Sequence, residues 1–173
     1  EERGFRAVVQ KGQGVAALYD EPLWRECGDI DLFFPNEEDR RGAEAWLCER
    51  GIVPEQKPDG STAYRWMKVE VEHHSQLLDL QSPRARRYLK GLVAEKGFTA
   101  VPVGDEGRIM VPAPELNLLL LNTHILKHAL CRGIGLRQFC DMARAYAVLG
   151  EKVDGDELRS IYHKAGISRW SSL

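Results

Sequence analysis

The sequence predicts an α+β fold, with a strand-and-helix N-terminal part followed by a helical part. Three observations carry this. "DIDLFFP" and "VEVEHH" alternate with the two-residue period of extended chain, so both are predicted strands. Between them "NEEDRRGAEAWLCERG" places Ala43, Trp46 and Leu47 at helical spacing, behind an N-cap residue and ahead of a glycine stop. From Pro114 onward the texture is helical. The expected division is therefore a core over 1–112 and a helical segment over 113–173, and 173 residues suffice for a substantial buried core.

Taken in order, "FRAVVQ" predicts a short strand, broken by "KGQG" before helix-compatible "VAALY". The "DIDLFF" strand is stopped by Pro35. Asn36 is the expected cap of the next helix, which has acids in its first turn and Gly51 beyond its end. After the "KPDGS" turn, "TAYRWMKVEVEHH" reads as one strand, with Met67, Val69 and Val71 on one face and Lys68, Glu70 and Glu72 on the other. "SPRARRYLKGLVAEKG" predicts a helix, and "FTAVPV" with "RIMVP" predicts a hairpin or edge strands. Three helices follow, over "PELNLLLLNTHILKHAL", "LRQFCDMARAYAVLG" and "DGDELRSIYHKAG", the last two ending at glycines.

Apolar residues make up 43% of the chain and charged residues 29%, an ordinary globular composition. No apolar run reaches membrane-spanning length and the N-terminus carries no signal-peptide pattern, so no membrane partner and a cytoplasmic location are expected. A net charge of -2 argues against a sequence-independent grip on nucleic acid. Cys27, Cys48, Cys131 and Cys140 show no metal-binding spacing and are expected to be reduced and mostly packed, as are the tryptophans Trp24, Trp46, Trp66 and Trp170. The chain begins at Glu1 without Met, so a preceding element is expected.

Asp29 and Asp31 are the main functional signal. Two residues apart on a strand, they project to one face about 6–7 Å apart, a spacing that suits hard-oxygen ligation of divalent cations. A solvated strand face is the competing explanation. A third acid from a neighbouring strand, Glu70 or Glu72, would complete a site for two Mg²⁺ ions. "KGQG", at a strand-to-helix turn, offers backbone N–H groups and Lys11 to phosphate oxygens, although glycines there also serve simply as turn residues.

"KGQGVAALYDEPLWRECGDIDLFF" resembles the opening of an uncharacterised bacterial nucleotidyltransferase family within the DNA polymerase β-like superfamily, and "HILKHALCRGIGLRQFCDMARAY" resembles that family's later motif. The resemblance implies a mixed sheet with flanking helices and a C-terminal helical lobe closing a nucleotide cleft. It implies Asp29, Asp31 and Glu72 as catalytic and metal-ligating residues, Glu72 being selected because it stands two residues before His74, with Glu70 in reserve. Lys11, Gly12, Gln13, Lys127, His128 and Arg137 are the implied nucleotide-binding residues. Gln13 stands where the superfamily usually has serine. The implied activity is Mg²⁺-dependent transfer of a nucleoside monophosphate from a nucleoside triphosphate to an acceptor that is a protein, an RNA or a small molecule. A catalytically silent nucleotide- or RNA-binding module is the alternative.

The remaining polar clusters admit two readings each. His124, Lys127 and His128 share a helix face that suits either a nucleotide or inter-helix contacts. Arg132 and Arg137 suit either phosphate or surface ion pairs, and Arg84, Arg86, Arg87 and Lys90 suit an RNA or phosphorylated acceptor or, as the favoured reading, a solvated helix face.

Overall fold

The computed structural model describes residues 4–78, 80, 82–104, 107–131 and 133–172, which leaves Arg132 outside the described residues. The chain divides into two compact units, residues 1–77 with 100–111 and residues 78–99 with 112–173. Residues 78–99, which include the helix after "SP", group with the second unit.

The first unit is a mixed sheet with its helices. β1 (Val8–Gln10) runs directly into α1 (Lys11–Ala16), β2 (Ile30–Phe33) leads to α2 (Glu37–Cys48), and β3 (Glu55–Gln56), β4 (Thr62–Trp66) and β5 (Val69–His74) follow. The sheet order is β1-β2-β5-β4-β3. Only the β2–β5 pair is parallel; β1–β2, β4–β5 and β3–β4 are antiparallel. A parallel pair needs a crossover, and α2 with the β3–β4 segment supplies it. α2 starts as its sequence predicts: Asn36 Oδ1 accepts the Glu38 N–H at 2.9 Å, and Glu37, Glu38 and Asp39 fill the first turn.

The single strand predicted over "TAYRWMKVEVEHH" is two strands. Met67 and Lys68 form a two-residue turn between β4 and β5, with Trp66 paired to Val69 and Met67 at φ 55. Such a turn needs positive φ and ordinarily recruits Gly, Asn or Asp, so a Met-Lys pair gives no turn signal. Within β5 the alternation holds: Val71 and His73 are buried on one face, while Glu70, Glu72 and His74 lie on the other. α2 packs against the Val71 face. There Glu44 Oε1 accepts the Thr62 hydroxyl at 2.5 Å, Trp46 stacks on Trp66 at 6.2 Å, and His73 lies between the Phe34 and Tyr64 rings.

β6 (Phe98–Val103) and β7 (Gly107–Pro112) pair as a separate two-stranded sheet. The second unit is built on α3 (Pro83–Lys96), α4 (Pro114–Cys131), α5 (Leu136–Leu149), α6 (Gly155–Ala165) and α7 (Ser168–Ser171). α3 keeps Ala85, Leu89 and Leu92 inside and leaves Arg84, Arg86, Arg87 and Lys90 exposed, as expected. α4 is buried without interruption from Leu116 to Asn122, because it is apolar around its whole circumference rather than along one stripe. No helix among the described residues is long and apolar enough to cross a membrane.

Two packing expectations fail. Cys48, Cys131 and Cys140 are exposed free thiols, and Cys27 is half-buried. Trp24 is 82% exposed beside Leu23, because the Pro22–Trp24 turn buries none of its residues.

Candidate active site

The parallel β2–β5 register brings the acids together. Asp31 pairs with Glu72 across the two strands, and residues in register share a face, so both carboxylates point the same way. His74, two residues on, joins them. One ligand atom each from Asp31, Glu72 and His74 lie within 4.8 Å of one another. Asp31 Oδ1 meets His74 Nε2 at 2.8 Å, and Glu72 Oε2 meets the same nitrogen at 3.4 Å. Asp29 is exposed, sits ahead of β2, and is not one of the three clustered residues. Glu70 lies on the Glu72 face but is half exposed and engages Lys57 at 2.7 Å.

The glycine turn is built against this cluster. Lys11 (φ 42) and Gly12 (φ 26) both depart from right-handed helix, and the Lys11 ammonium reaches Asp31 Oδ2 at 3.0 Å. A Cβ on Gly12 would stand 3.3 Å from the Asp29 carbonyl oxygen, so glycine is needed for both the dihedral and the approach of the two backbones. Gln13 Oε1 is buried without a hydrogen-bond partner among the described residues.

Asp31 is 4% exposed. Burial pushes its carboxyl up, but the His74 hydrogen bond and the Lys11 ammonium outweigh burial, so the pKa is lowered and the group is ionised at neutral pH. Burial holds His73, on the opposite face, down at about 4, and it is a neutral packing residue.

Three participants escaped the sequence reading as functional groups. His74 served there only to select Glu72, although strand alternation already places it on the acidic face. Gln10 is in register with Asp31, is 2% exposed, and has an Nε2 with no partner among the described residues. Lys57 contacts Glu72 Oε1 from the β3–β4 connection, which no local pattern announces. Lys127 and His128 lie on α4 and Arg137 on α5, in the second unit, where His128 Nε2 meets His124 Nε2 at 3.1 Å.

A family model described as an uncharacterised nucleotidyltransferase matches residues 1–173. The chain belongs to that uncharacterised nucleotidyltransferase family. The membership expected from "KGQG" and "GDIDLFF" is borne out. No curated protein matches this nucleotidyltransferase-family chain significantly. Among solved structures, the antibiotic-resistance factor ANT(2″)-Ia in solution is similar with a TM-score of 0.60 and 17% identity over 99% of this chain and 86% of that one. The crystal structure of ANT(2″)-Ia in complex with adenylyl-2″-tobramycin gives a TM-score of 0.60 and 12% identity over 99% of this chain and 91% of that one. At these identities the likeness is one of fold, and it agrees with the expected nucleotidyltransferase-like mixed sheet with flanking and C-terminal helices.

Proposed function

We propose that this protein transfers a nucleoside monophosphate from a nucleoside triphosphate to an acceptor hydroxyl, with divalent-cation chemistry on the Asp31–Glu72–His74 face. The observation that carries the reading is the β2–β5 register, which holds a buried, ionised carboxylate opposite a second one beside a glycine turn. The donor set fits a divalent cation: two carboxylates and an imidazole within 4.8 Å suit Mn²⁺ as well as Mg²⁺. Bound there, a divalent cation supplies positive charge to the phosphoryl group and to the attacking and leaving oxygens.

The chain's own residues supply the rest. Asp31, Glu72 and His74 would hold the cation, with Asp29 and, in reserve, Glu70 as the remaining carboxylates for a second ion. The Lys11-Gly12-Gln13 turn holds the triphosphate, Lys11 by charge and Gly12 by exposing backbone N–H groups. In the transfer step the acceptor oxygen bonds to the α-phosphorus, the bond to the β-phosphate oxygen breaks, pyrophosphate leaves, and the acceptor proton passes to Glu72.

ANT(2″)-Ia carries an adenylylated tobramycin. For this chain the acceptor class is read by incubating the protein with labelled triphosphates, Mg²⁺ or Mn²⁺, and cell extract, then identifying the labelled molecule. Pyrophosphate release should vanish in Asp31→Asn and Glu72→Gln while far-UV circular dichroism is unchanged. Undiminished release in both would remove the assignment. Nucleotide binding without pyrophosphate release in the wild type would favour the silent binding module instead. Alanine variants of Lys127, His128 and Arg137 should weaken nucleotide binding, read by titrating the protein with nucleoside triphosphates.

A further inference from the structure

Every carboxylate oxygen of the Asp31–Glu72 pair has a resident partner. Asp31 Oδ1 is held by His74 and Oδ2 by Lys11. Glu72 Oε2 is held by His74 and Oε1 by Lys57. A divalent cation therefore reaches these oxygens beside groups already in place, and the positively charged ones oppose it. His74 is itself a candidate ligand, and Lys11 is tied to the irregular turn beside Asp31. Lys57 differs from both: its side chain is the most exposed of the three, at 33% against 21% for Lys11 and 18% for His74.

Lys57 also has a second berth. Its ammonium contacts Glu70 at 2.7 Å as well as Glu72, and Glu70 is outside the three-residue cluster. Its backbone is fixed meanwhile. Lys57 N–H donates to Ser61 O at 2.8 Å, and Lys57 O accepts from Gly60 N–H at 3.0 Å, while Asp59 Oδ1 accepts from both the Ser61 N–H and hydroxyl. The β4 residue in register with Glu72 is Ala63, so a small side chain stands in the strand next to Glu72 on the side from which Lys57 comes. A closed turn thus carries the Lys57 ammonium past Ala63 to the edge of the acidic cluster.

We propose that Lys57 is an internal counter-cation of this site, displaced from Glu72 when a divalent ion binds and retained by Glu70. The inference rests on the reading of Asp31, Glu72 and His74 as cation ligands. Its consequence is a built-in competition. The ammonium lowers the intrinsic affinity for a divalent ion, because loading must break one ion pair and bring a double charge near a retained positive one.

The test is a Mn²⁺ titration of the chelator-stripped full chain, read by the electron paramagnetic resonance of free Mn²⁺. Lys57→Met should bind Mn²⁺ about tenfold more tightly than wild type, the order expected for removing one positive charge a few ångströms from the ion. Lys57→Arg should stay at the wild-type affinity. Lys68→Met makes the same change of net charge at an exposed turn position of the same sheet and should move the affinity less than twofold. Lys57→Gln takes the place of Lys57→Met if the latter does not fold. Equal affinities in wild type and Lys57→Met, or equal tightening by Lys68→Met, would overturn the role of Lys57 while leaving the ligand set intact. Absence of Mn²⁺ binding in wild type and Lys57→Met alike would overturn both.

Discussion

In the second unit, the two N–H groups of Asn122 Nδ2 are shared among the Leu118 carbonyl at 2.9 Å, the Tyr146 hydroxyl at 3.1 Å and the Tyr162 hydroxyl at 3.0 Å, and the two phenol oxygens lie 2.7 Å apart. In the first unit, Asp31 is buried to the same degree, but its partners are a lysine and an imidazole. The neutral network lies within α4, α5 and α6 and is satisfied by them. It organises packing. The charged one keeps a carboxylate ionised where burial opposes ionisation. Such an arrangement costs stability unless all its groups remain paired, and under the proposed function it receives a charged ligand.

Substitutions in the two networks should therefore part company. The largest expected effect is at Asp31: Asp31→Asn should lower pyrophosphate release at least about a thousandfold, equivalent to roughly 4 kcal/mol of transition-state stabilisation, while shifting the melting temperature by only a few degrees. A variant that melts early and keeps its activity would turn the comparison around and make Asp31 a packing residue. Next is the buried histidine on the far face. His73 titrates at about 4 in the folded chain against an ordinary 6.5, so between those values the unfolded chain takes up a proton that the native one refuses. The His73 contribution to native stability should fall by up to about 3 kcal/mol as pH drops through that window and level off below it. His73→Gln should lose that share of the slope in urea melts at pH 7, 5.5 and 4; an unchanged slope would mean that His73 is not held neutral.

Asn122→Ala follows, at about 2 kcal/mol of stability, since it removes a buried amide whose two N–H groups are shared among three acceptors while the two phenols retain each other. A chemical-denaturation series reads this directly. The urea slope should stay constant, because the network belongs to the folded packing rather than to the unfolded chain.

How much of this is legible from sequence follows from the range of each interaction. The start of α2 is local: Asn36, three acids and the glycine beyond its end lie within one segment, and the structure follows them. The acidic face of β5 is equally local, because alternation alone sorts Glu70, Glu72 and His74 from Val71 and His73. The break at Met67 is hidden, since neither turn residue belongs to the types that tolerate positive φ. The β2–β5 register is not written in either strand. It selects Asp31 to face Glu72, where spacing alone treated Asp29 and Asp31 as equals. Lys57 comes from a third segment, and only the sheet order β5-β4-β3 carries it near Glu72. Types of residue were therefore readable, whereas pairings across the sheet were not.

The smallest effect sharpens the contrast between the units by asking each to report on itself. Asn36 caps α2 in the first unit through the Glu38 N–H at 2.9 Å, and Asp154 caps α6 in the second through the Glu157 N–H at 2.8 Å. Both satisfy one of the orphan N–H groups at a helix start, and both precede acids that favour the same end of the helix dipole. Loss of either cap should cost about 1 kcal/mol. Hydrogen exchange with peptide-level mass spectrometry separates them: Asn36→Ala should speed exchange in peptides from α2, and Asp154→Ala in peptides from α6. Because local opening follows the cooperative unit a helix belongs to, acceleration in α6 from Asn36→Ala would show that the two units open together, and the polar networks would then have to be judged as parts of one stability rather than two.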